Sequence, residues 1–207
     1  MNPLPTRGLY AVTPELEAVA QMEPLVEAAL KGGAKMVQFR DKSTDDAARE
    51  EAARTLQALC NRFAAPLIIN DDVELARVVG ADGIHLGKDD MSPAQARAIL
   101  GSQSIIGVSC YNDATVAANA IADGADYVAY GSFYPSPTKP DAVRASVDLV
   151  AATRPSLTVP LVGIGGITVE NAPALISAGV DLLAVITAVF GTDNPSEAAQ
   201  QFDRLFQ

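Results

Sequence analysis

The sequence predicts an α/β protein of one compact domain, a closed parallel (β/α)₈ barrel of the TIM type, and three observations carry that prediction. Short apolar runs alternate with amphipathic stretches of helical length, eight of each, along all 207 residues. Neither a Pro/Ser-rich linker nor a charge block marks a boundary, so residues 1–207 read as one unit. The connections from helix to the next strand are very short, which favours a closed barrel over an open doubly wound sheet. The chain is short for a barrel of roughly 250 residues, so most loops must be tight.

Residues 8–12 (Gly-Leu-Tyr-Ala-Val) form the first apolar run, with Met22–Lys31 as its helix, and residues 35–39 form the second, followed by the amphipathic stretch 45–63. Residues 66–70 with Val73–Val79 make the third unit, Gly83–Leu86 with Pro93–Leu100 the fourth, and residues 104–109 with 113–123 the fifth. Residues 127–130 with Val147–Thr153 make the sixth, 160–163 with 169–177 the seventh, and 182–186 with 196–206 the eighth. Ser92 before Pro93, Asn112-Asp113 and Asn194-Pro195-Ser196 are helix starts, combining capping side chains with Pro in the first turn. The helix ends repeat as well. Lys31-Gly32-Gly33-Ala34, Gly80-Ala81-Asp82-Gly83, Asp123-Gly124-Ala125-Asp126 and Ala178-Gly179-Val180-Asp181 each set Gly between a helix and a strand, where left-handed backbone turns the chain back into the sheet. A Rossmann-like sheet fits less well, because the Gly-rich candidate at 163–168 lacks a third Gly and comes late in the chain.

Half of the residues are hydrophobic, yet only 5% are aromatic and Trp is absent. The apolar mass therefore lies in Ala, Val, Ile and Leu, as expected of parallel strands buried on both faces. The net charge of −10 and the lack of any Lys/Arg run exclude a nucleic-acid surface, so an anionic ligand must be met by a local site. Cys60 and Cys110 share no metal-ligand spacing and read as reduced packing residues. Residues 1–7 show no charged segment leading into an apolar run, and no stretch approaches about 18 apolar residues, so a cytoplasmic protein away from membranes is expected.

In a barrel, function is written where strands end. At the end of the second strand, alternation puts Gln38, Arg40 and Lys42 on one face and Phe39 and Asp41 on the other. With Phe39 packed under a helix, the Gln/Arg/Lys row points into the mouth, where two cations and an amide suit a diphosphate; the competing reading is a solvated strand exit. After the third strand comes Asn70-Asp71-Asp72, with Asp72 read as a helix cap. The fourth strand leaves as His85-Leu86-Gly87-Lys88-Asp89-Asp90. Neighbouring strands thus each deliver a carboxylate to one rim, the arrangement that holds Mg²⁺ together with substrate phosphate oxygens, although such loops also carry caps. His85, the sole histidine, reads equally as a base or as a hydrogen-bonded core residue. Residues 131–140, with Ser136, Thr138 and Lys139 among prolines, form the longest connection and read as an anion clamp or as a stiffened surface loop. The loop 163–168 offers bare backbone N–H groups, and Ile186-Thr187-Ala188-Val189-Phe190 reads as a short extra helix, together forming the recurrent phosphate site of barrels. Two separated anion sites imply two phosphorylated substrates.

Taken in order, Gln-x-Arg-x-Lys at 38–42, Asn-Asp at 70–71, His-x-Gly-x-Asp-Asp at 85–90, Gly-Val-Ser at 107–109, Pro-x-x-Thr-Lys at 135–139 and Gly-x-Gly-Gly-Ile-Thr at 163–168 resemble the thiamine-phosphate synthase family across nearly the whole chain. Each motif is modest; six in order, each at a strand end, are specific. The resemblance implies a transferase that joins 4-amino-2-methyl-5-hydroxymethylpyrimidine diphosphate to 4-methyl-5-(2-phosphoethyl)thiazole with Mg²⁺, giving thiamine phosphate and pyrophosphate. It further implies that Gln38, Arg40, Lys42, Asn70, Ser109 and Lys139 bind the pyrimidine diphosphate, with Lys139, Ser109 and Arg40 acting in catalysis. Asp71 and Asp90 would hold Mg²⁺, and Ser136, Thr138, Gly166, Ile186 and Thr187 would receive the thiazole phosphate. This chain departs from the family's usual Gln-Leu-Arg-Glu-Lys with Phe39 and Asp41, has Ser136 for a usual Thr, and has Lys88 where Gln is frequent. None of these removes a ligand. A thiazole tautomerase-like barrel and a non-catalytic sensor of thiamine precursors are the rival readings, and Arg40, Lys42, Asp71, Asp90 and Lys139 together favour the synthase. The sequence leaves homo-oligomerisation open.

Overall fold

The computed structural model describes residues 1–15, 21–43, 45–135 and 143–207. Eight strands, β1 (Gly8–Val12), β2 (Met36–Phe39), β3 (Leu67–Asn70), β4 (Gly83–Leu86), β5 (Ile105–Tyr111), β6 (Tyr127–Gly131), β7 (Leu161–Ile164) and β8 (Leu182–Val185), run in sequence order around a closed parallel barrel. Closure is made by β1, which pairs with both β2 and β8. The intervening helices are α1 (Met22–Lys31), α2 (Asp46–Arg62), α3 (Val73–Val79), α4 (Pro93–Leu100), α5 (Ala114–Ala122), α6 (Val147–Thr153) and α7 (Ala172–Ala178), with α8 (Thr187–Phe190) and α9 (Pro195–Arg204) after β8.

The eight-unit reading holds, and its boundary shifts have local causes. The helix expected from residue 169 begins at Ala172, because Asn171 accepts from the Thr168 N–H and donates to the Gly166 carbonyl, which holds the preceding stretch as a turn. β5 runs on to Tyr111 through an irregularity in its register with β6. The capping side chains act as read: Ser92 and Gln95 close a capping box, and Asp72, Asp113 and Asn194 each accept a first-turn N–H. Each of the four helix-to-strand returns carries a glycine with positive φ, namely Gly33, Gly80, Gly124 and Gly179, a conformation a β-carbon would disfavour, and Gly80 and Gly179 are the helix caps themselves.

Strand alternation divides the core in two. One face of each strand packs outward against helices, with Leu9, Val37, Phe39, Ile69, Val128 and Leu183 all buried. The other face fills the barrel interior with Tyr10, Val12, Met36, Ile68, Ile105, Tyr127, Val162 and Leu182. Cys60 and Cys110 are buried thiols whose burial pushes their pKa up to about 12, which fits inert packing residues.

At the N-terminal face one device recurs three times. Asp82, Asp126 and Asp181 each stand just before a strand, donate a backbone N–H to the preceding strand and take that strand's N–H on the carboxylate. The pairs are Asp82 with Leu67 (3.0 and 3.0 Å), Asp126 with Ile106 (2.7 and 2.8 Å) and Asp181 with Leu161 (2.9 and 2.8 Å). Each reciprocal pair fixes the stagger between neighbouring strands at the point where barrel closure demands it. Arg97 and Arg154 brace the second and third carboxylates, whereas Asp82 is buried and accepts from Asn2 and Gln57. In the first unit the same position is Lys35, which pairs with Asp203 of α9 instead.

Asp82→Ala leaves the buried Leu67 N–H without its acceptor and removes one from Asn2 and Gln57, so a loss of about 2 kcal/mol is expected, against about 1 kcal/mol for the more open Asp126→Ala. Urea denaturation checks the order, and equal costs would contradict the account.

Candidate active site

Along the inward face of the strands, polarity rises toward the C-terminal mouth. The last inward positions are Gln38 on β2, Arg40 just beyond it, Asn70 on β3, His85 on β4 and Ser109 on β5, and all five line one cavity of about 380 Å³. Tyr111, Ser132, Pro135, the loop 164–168 and residues 184–188 complete its wall. This volume falls within the roughly 300–1,000 Å³ of small-molecule sites.

On the β2 side, Gln38 is buried and donates through Nε2 to the Tyr10 hydroxyl at 2.7 Å. Arg40 is anchored by its backbone, whose N–H donates to Thr13 Oγ1 at 2.9 Å while that hydroxyl donates back to the Arg40 carbonyl at 3.2 Å. Its guanidinium donates to Glu15 at 2.6 Å, so the residue keeps an acidic partner that holds its head at the rim. Lys42 is exposed and does not line the cavity, but its charge reaches Asp71 and pulls that carboxyl downward. The expected Gln/Arg/Lys row is therefore present, with its third member set outside the cavity wall.

The two predicted carboxylates meet. Asp71 follows β3 and Asp90 closes the loop after β4; Asp71 is held above its ordinary pKa of 3.8, first by burial and then by the adjacent charge and hydrogen-bonding contact of Asp90. Asp71 adopts φ +63°, a left-handed backbone that Asp and Asn tolerate better than most residues, and its N–H donates to the His85 carbonyl at 2.9 Å. Asp90 accepts from the Gly87 N–H at 2.7 Å, which folds its loop back over the site. Asp71 and Asp90 meet beside Asn70, just outside the cavity wall, and two such hard oxygen donors would suit Mg²⁺ completed by phosphate oxygens and water. Among the described residues no group of three or more His, Cys, Asp or Glu could hold a metal, so such an ion would depend on the substrate. Asp72 is the helix cap that the sequence indicates, and Arg49 braces it at 2.8 Å.

Across the mouth, Gly166, Ile186 and Thr187 line the cavity, and α8 stands where the extra helix was expected. Gly165 and Gly166 have φ of +100° and +62°, and a β-carbon would meet Ser132 at 2.1 Å or the Pro135 carbonyl at 2.3 Å, so glycine lets this loop pack against the β6 loop. Ser136, Thr138 and Lys139 lie outside the described residues. His85 is no free base: Nε2 lies 2.8 Å from Ser109 Oγ and Nδ1 lies 2.9 Å from the Tyr127 hydroxyl. The sequence reading missed Tyr10, Tyr127, Tyr111 and Glu15. The first two stand at inward positions that look apolar by pattern, and the signal that could have exposed them is Gly107, an inward glycine opposite Tyr127.

A closed parallel barrel whose polar residues converge at the strand ends around a small-molecule cavity defines a (β/α)₈-barrel enzyme. Residues 9–189 match the family model described as thiamine monophosphate synthase. The chain is 50% identical over 202 residues to the thiamine-phosphate synthase of Thioalkalivibrio sulfidiphilus, covering 97% of this chain and 96% of that one. It is 52% identical over 199 residues to that of Thiobacillus denitrificans, covering 96% and 94%. Thiamine phosphate pyrophosphorylase from Pyrococcus furiosus superimposes with a TM-score of 0.86 at 32% identity, covering 97% and 95%. This chain belongs to the thiamine monophosphate synthase family and is an enzyme of it.

Because the folded state binds the Asp71 proton more readily than the unfolded chain does, this site's contribution to stability is complete below pH 3.8 and is lost as pH rises through the raised value. Removing the charge should therefore stabilise the protein. Asp71→Asn, which suits the left-handed backbone, is expected to raise Tm slightly at pH 7.5 in EDTA, a small gain because the residue is exposed and water screens its repulsion from Asp90. Calorimetry across pH 5–8 checks this, and a lower Tm in the variant would contradict it.

Proposed function

We propose that this chain condenses 4-amino-2-methyl-5-hydroxymethylpyrimidine diphosphate with 4-methyl-5-(2-phosphoethyl)thiazole, assisted by Mg²⁺, releasing pyrophosphate and thiamine phosphate. The observation that carries the proposal is the convergence of Gln38, Arg40, Asn70 and the Asp71–Asp90 pair on one rim, opposite the glycine loop and residues 186–187. A barrel that only bound or tautomerised the thiazole would have no use for that carboxylate pair. Among the described residues no helix is long and apolar enough to cross a membrane.

In this reading Arg40, Lys42 and Lys139 would bind the diphosphate and Asp71 and Asp90 would hold Mg²⁺, whose charge would offset that of the departing group. The bond from the pyrimidine methylene carbon to the diphosphate oxygen breaks with its electron pair leaving on pyrophosphate. The thiazole nitrogen lone pair then forms the new C–N bond to the cationic carbon. Such chemistry asks for leaving-group stabilisation and alignment of two reactants, with little side-chain acid–base work. Ser109 contacts the pyrimidine, and Ser136, Thr138, Gly166, Ile186 and Thr187 take the thiazole phosphate. The acidic chain, with net charge −10, meets these anions through a few local cations and the metal.

Purified protein supplied with both precursors and Mg²⁺ is expected to form thiamine phosphate and pyrophosphate, and EDTA to abolish the product. Absence of product with Mg²⁺ present would overturn the proposal. Lys139→Ala is expected to lower kcat by about two to three orders of magnitude with Tm unchanged, on the scale of losing one group that stabilises developing charge; near-normal turnover would remove Lys139 from the leaving-group role.

A further inference from the structure

We propose that Tyr10 and Tyr127 are positioning residues that lock His85 as its neutral Nε2–H tautomer and thereby oblige Ser109 to donate its own proton to the bound substrate; the ligand's identity rests on the function proposed above.

Four hydrogen bonds cross the barrel interior beneath the cavity in one line. Gln38 Nε2 donates to the Tyr10 hydroxyl at 2.7 Å, the Tyr10 and Tyr127 hydroxyls lie 2.9 Å apart, Tyr127 lies 2.9 Å from His85 Nδ1, and His85 Nε2 lies 2.8 Å from Ser109 Oγ. The direction of the line follows from its start, because an amide nitrogen can only donate. Tyr10 accepts from Gln38, and among the described residues Tyr127 is the one other partner of its hydroxyl, so its proton goes there, and Tyr127 in turn gives its proton to His85 Nδ1. With Nδ1 accepting, the neutral ring carries hydrogen on Nε2 and donates to Ser109. Ser109 Oγ then receives a hydrogen bond, and its own hydrogen is left for the cavity that it lines.

The parts of this line are built into the fold. Tyr10 and Tyr127 are buried, and burial raises both phenols well above their ordinary pKa, so each carries its proton. The His85 ring stacks on Tyr127 at 5.6 Å and 20°, while Tyr10 meets Tyr127 edge-on at 6.0 Å and 87°, which leaves each hydroxyl little choice of direction. Room for the Tyr127 ring is made by Gly107, where a β-carbon would fall 1.9 Å from the ring carbon that bears the hydroxyl. The line joins a residue on the diphosphate side, Gln38, to one on the ring side, Ser109. The ligand atom it selects is a lone pair, such as an aromatic ring nitrogen, rather than an amino group.

A single histidine makes the test direct, since ¹⁵N-histidine labelling reports one imidazole only. At fixed pH 7.5, wild-type protein is expected to show a bare Nδ1 and a protonated Nε2. A proton on Nδ1, alone or together with Nε2, overturns the proposal. Tyr127→Phe keeps the ring but removes the link, and is expected to give averaged tautomers, about tenfold lower kcat and an unchanged KM for the thiazole substrate. An unchanged imidazole spectrum in this variant also overturns it. Adding Tyr127→Phe to Ser109→Ala should cost no more than Ser109→Ala alone; additive losses would mean that Tyr127 acts elsewhere. The spectra need no turnover, so a failed condensation assay refutes the proposed reaction while leaving the tautomer lock separately decided.

Discussion

Closure of eight parallel strands is the constraint from which the rest of this structure follows. Once β1 pairs with both neighbours, every second residue of every strand must share one narrow interior. The chain meets that demand by grading the interior along the axis. Met36, Ile68, Ile105 and Leu182 fill the lower part, while Gln38, Asn70, His85 and Ser109 occupy the upper ends. A polar mouth is thus a consequence of strand parity, with loops needed only to finish the wall. The reciprocal bonds of Asp82, Asp126 and Asp181 at the opposite face serve the same closure, because a slip of one residue would turn the polar row outward.

Charge is handled in the same economical way. An overall acidic chain would repel phosphates, yet it concentrates Arg40 and Lys42 near Asp71 and Asp90 at one rim. The contact with Asp90 helps hold the Asp71 carboxyl above its ordinary pKa in the free protein, which supports the proposed divalent cation there and is why a neutral substitution is expected to stabilise the protein. Glu15 plays a gentler part, holding the Arg40 guanidinium at the mouth.

Much of this was legible because the informative patterns are local. Eight apolar runs with short Gly-containing returns could only sensibly close a barrel, and period-two alternation was enough to send Gln38 and Arg40 inward and Phe39 outward. The start of α7 was misjudged because the Asn171 side chain competes for the backbone ahead of it. The sequence marked the glycines of the helix returns but not the aspartates beside them, since a carboxylate that binds a neighbouring strand's N–H leaves no periodic trace. Tyr10 and Tyr127 were hidden for a related reason. Their rings satisfy the hydrophobic pattern, and only the three-dimensional meeting of two hydroxyls, 117 residues apart in sequence, reveals a polar line.

The central claim is that Asp71 and Asp90 join a divalent cation to the diphosphate at this rim. Calorimetric titration of pyrophosphate into wild-type protein and Asp90→Asn, each with and without Mg²⁺, tests it most directly. The account predicts that Mg²⁺ strengthens pyrophosphate binding at least tenfold in the wild type, a coupling of about 1.4 kcal/mol, and does not do so in the variant. Equal pyrophosphate affinity with and without Mg²⁺ in the wild type would contradict it.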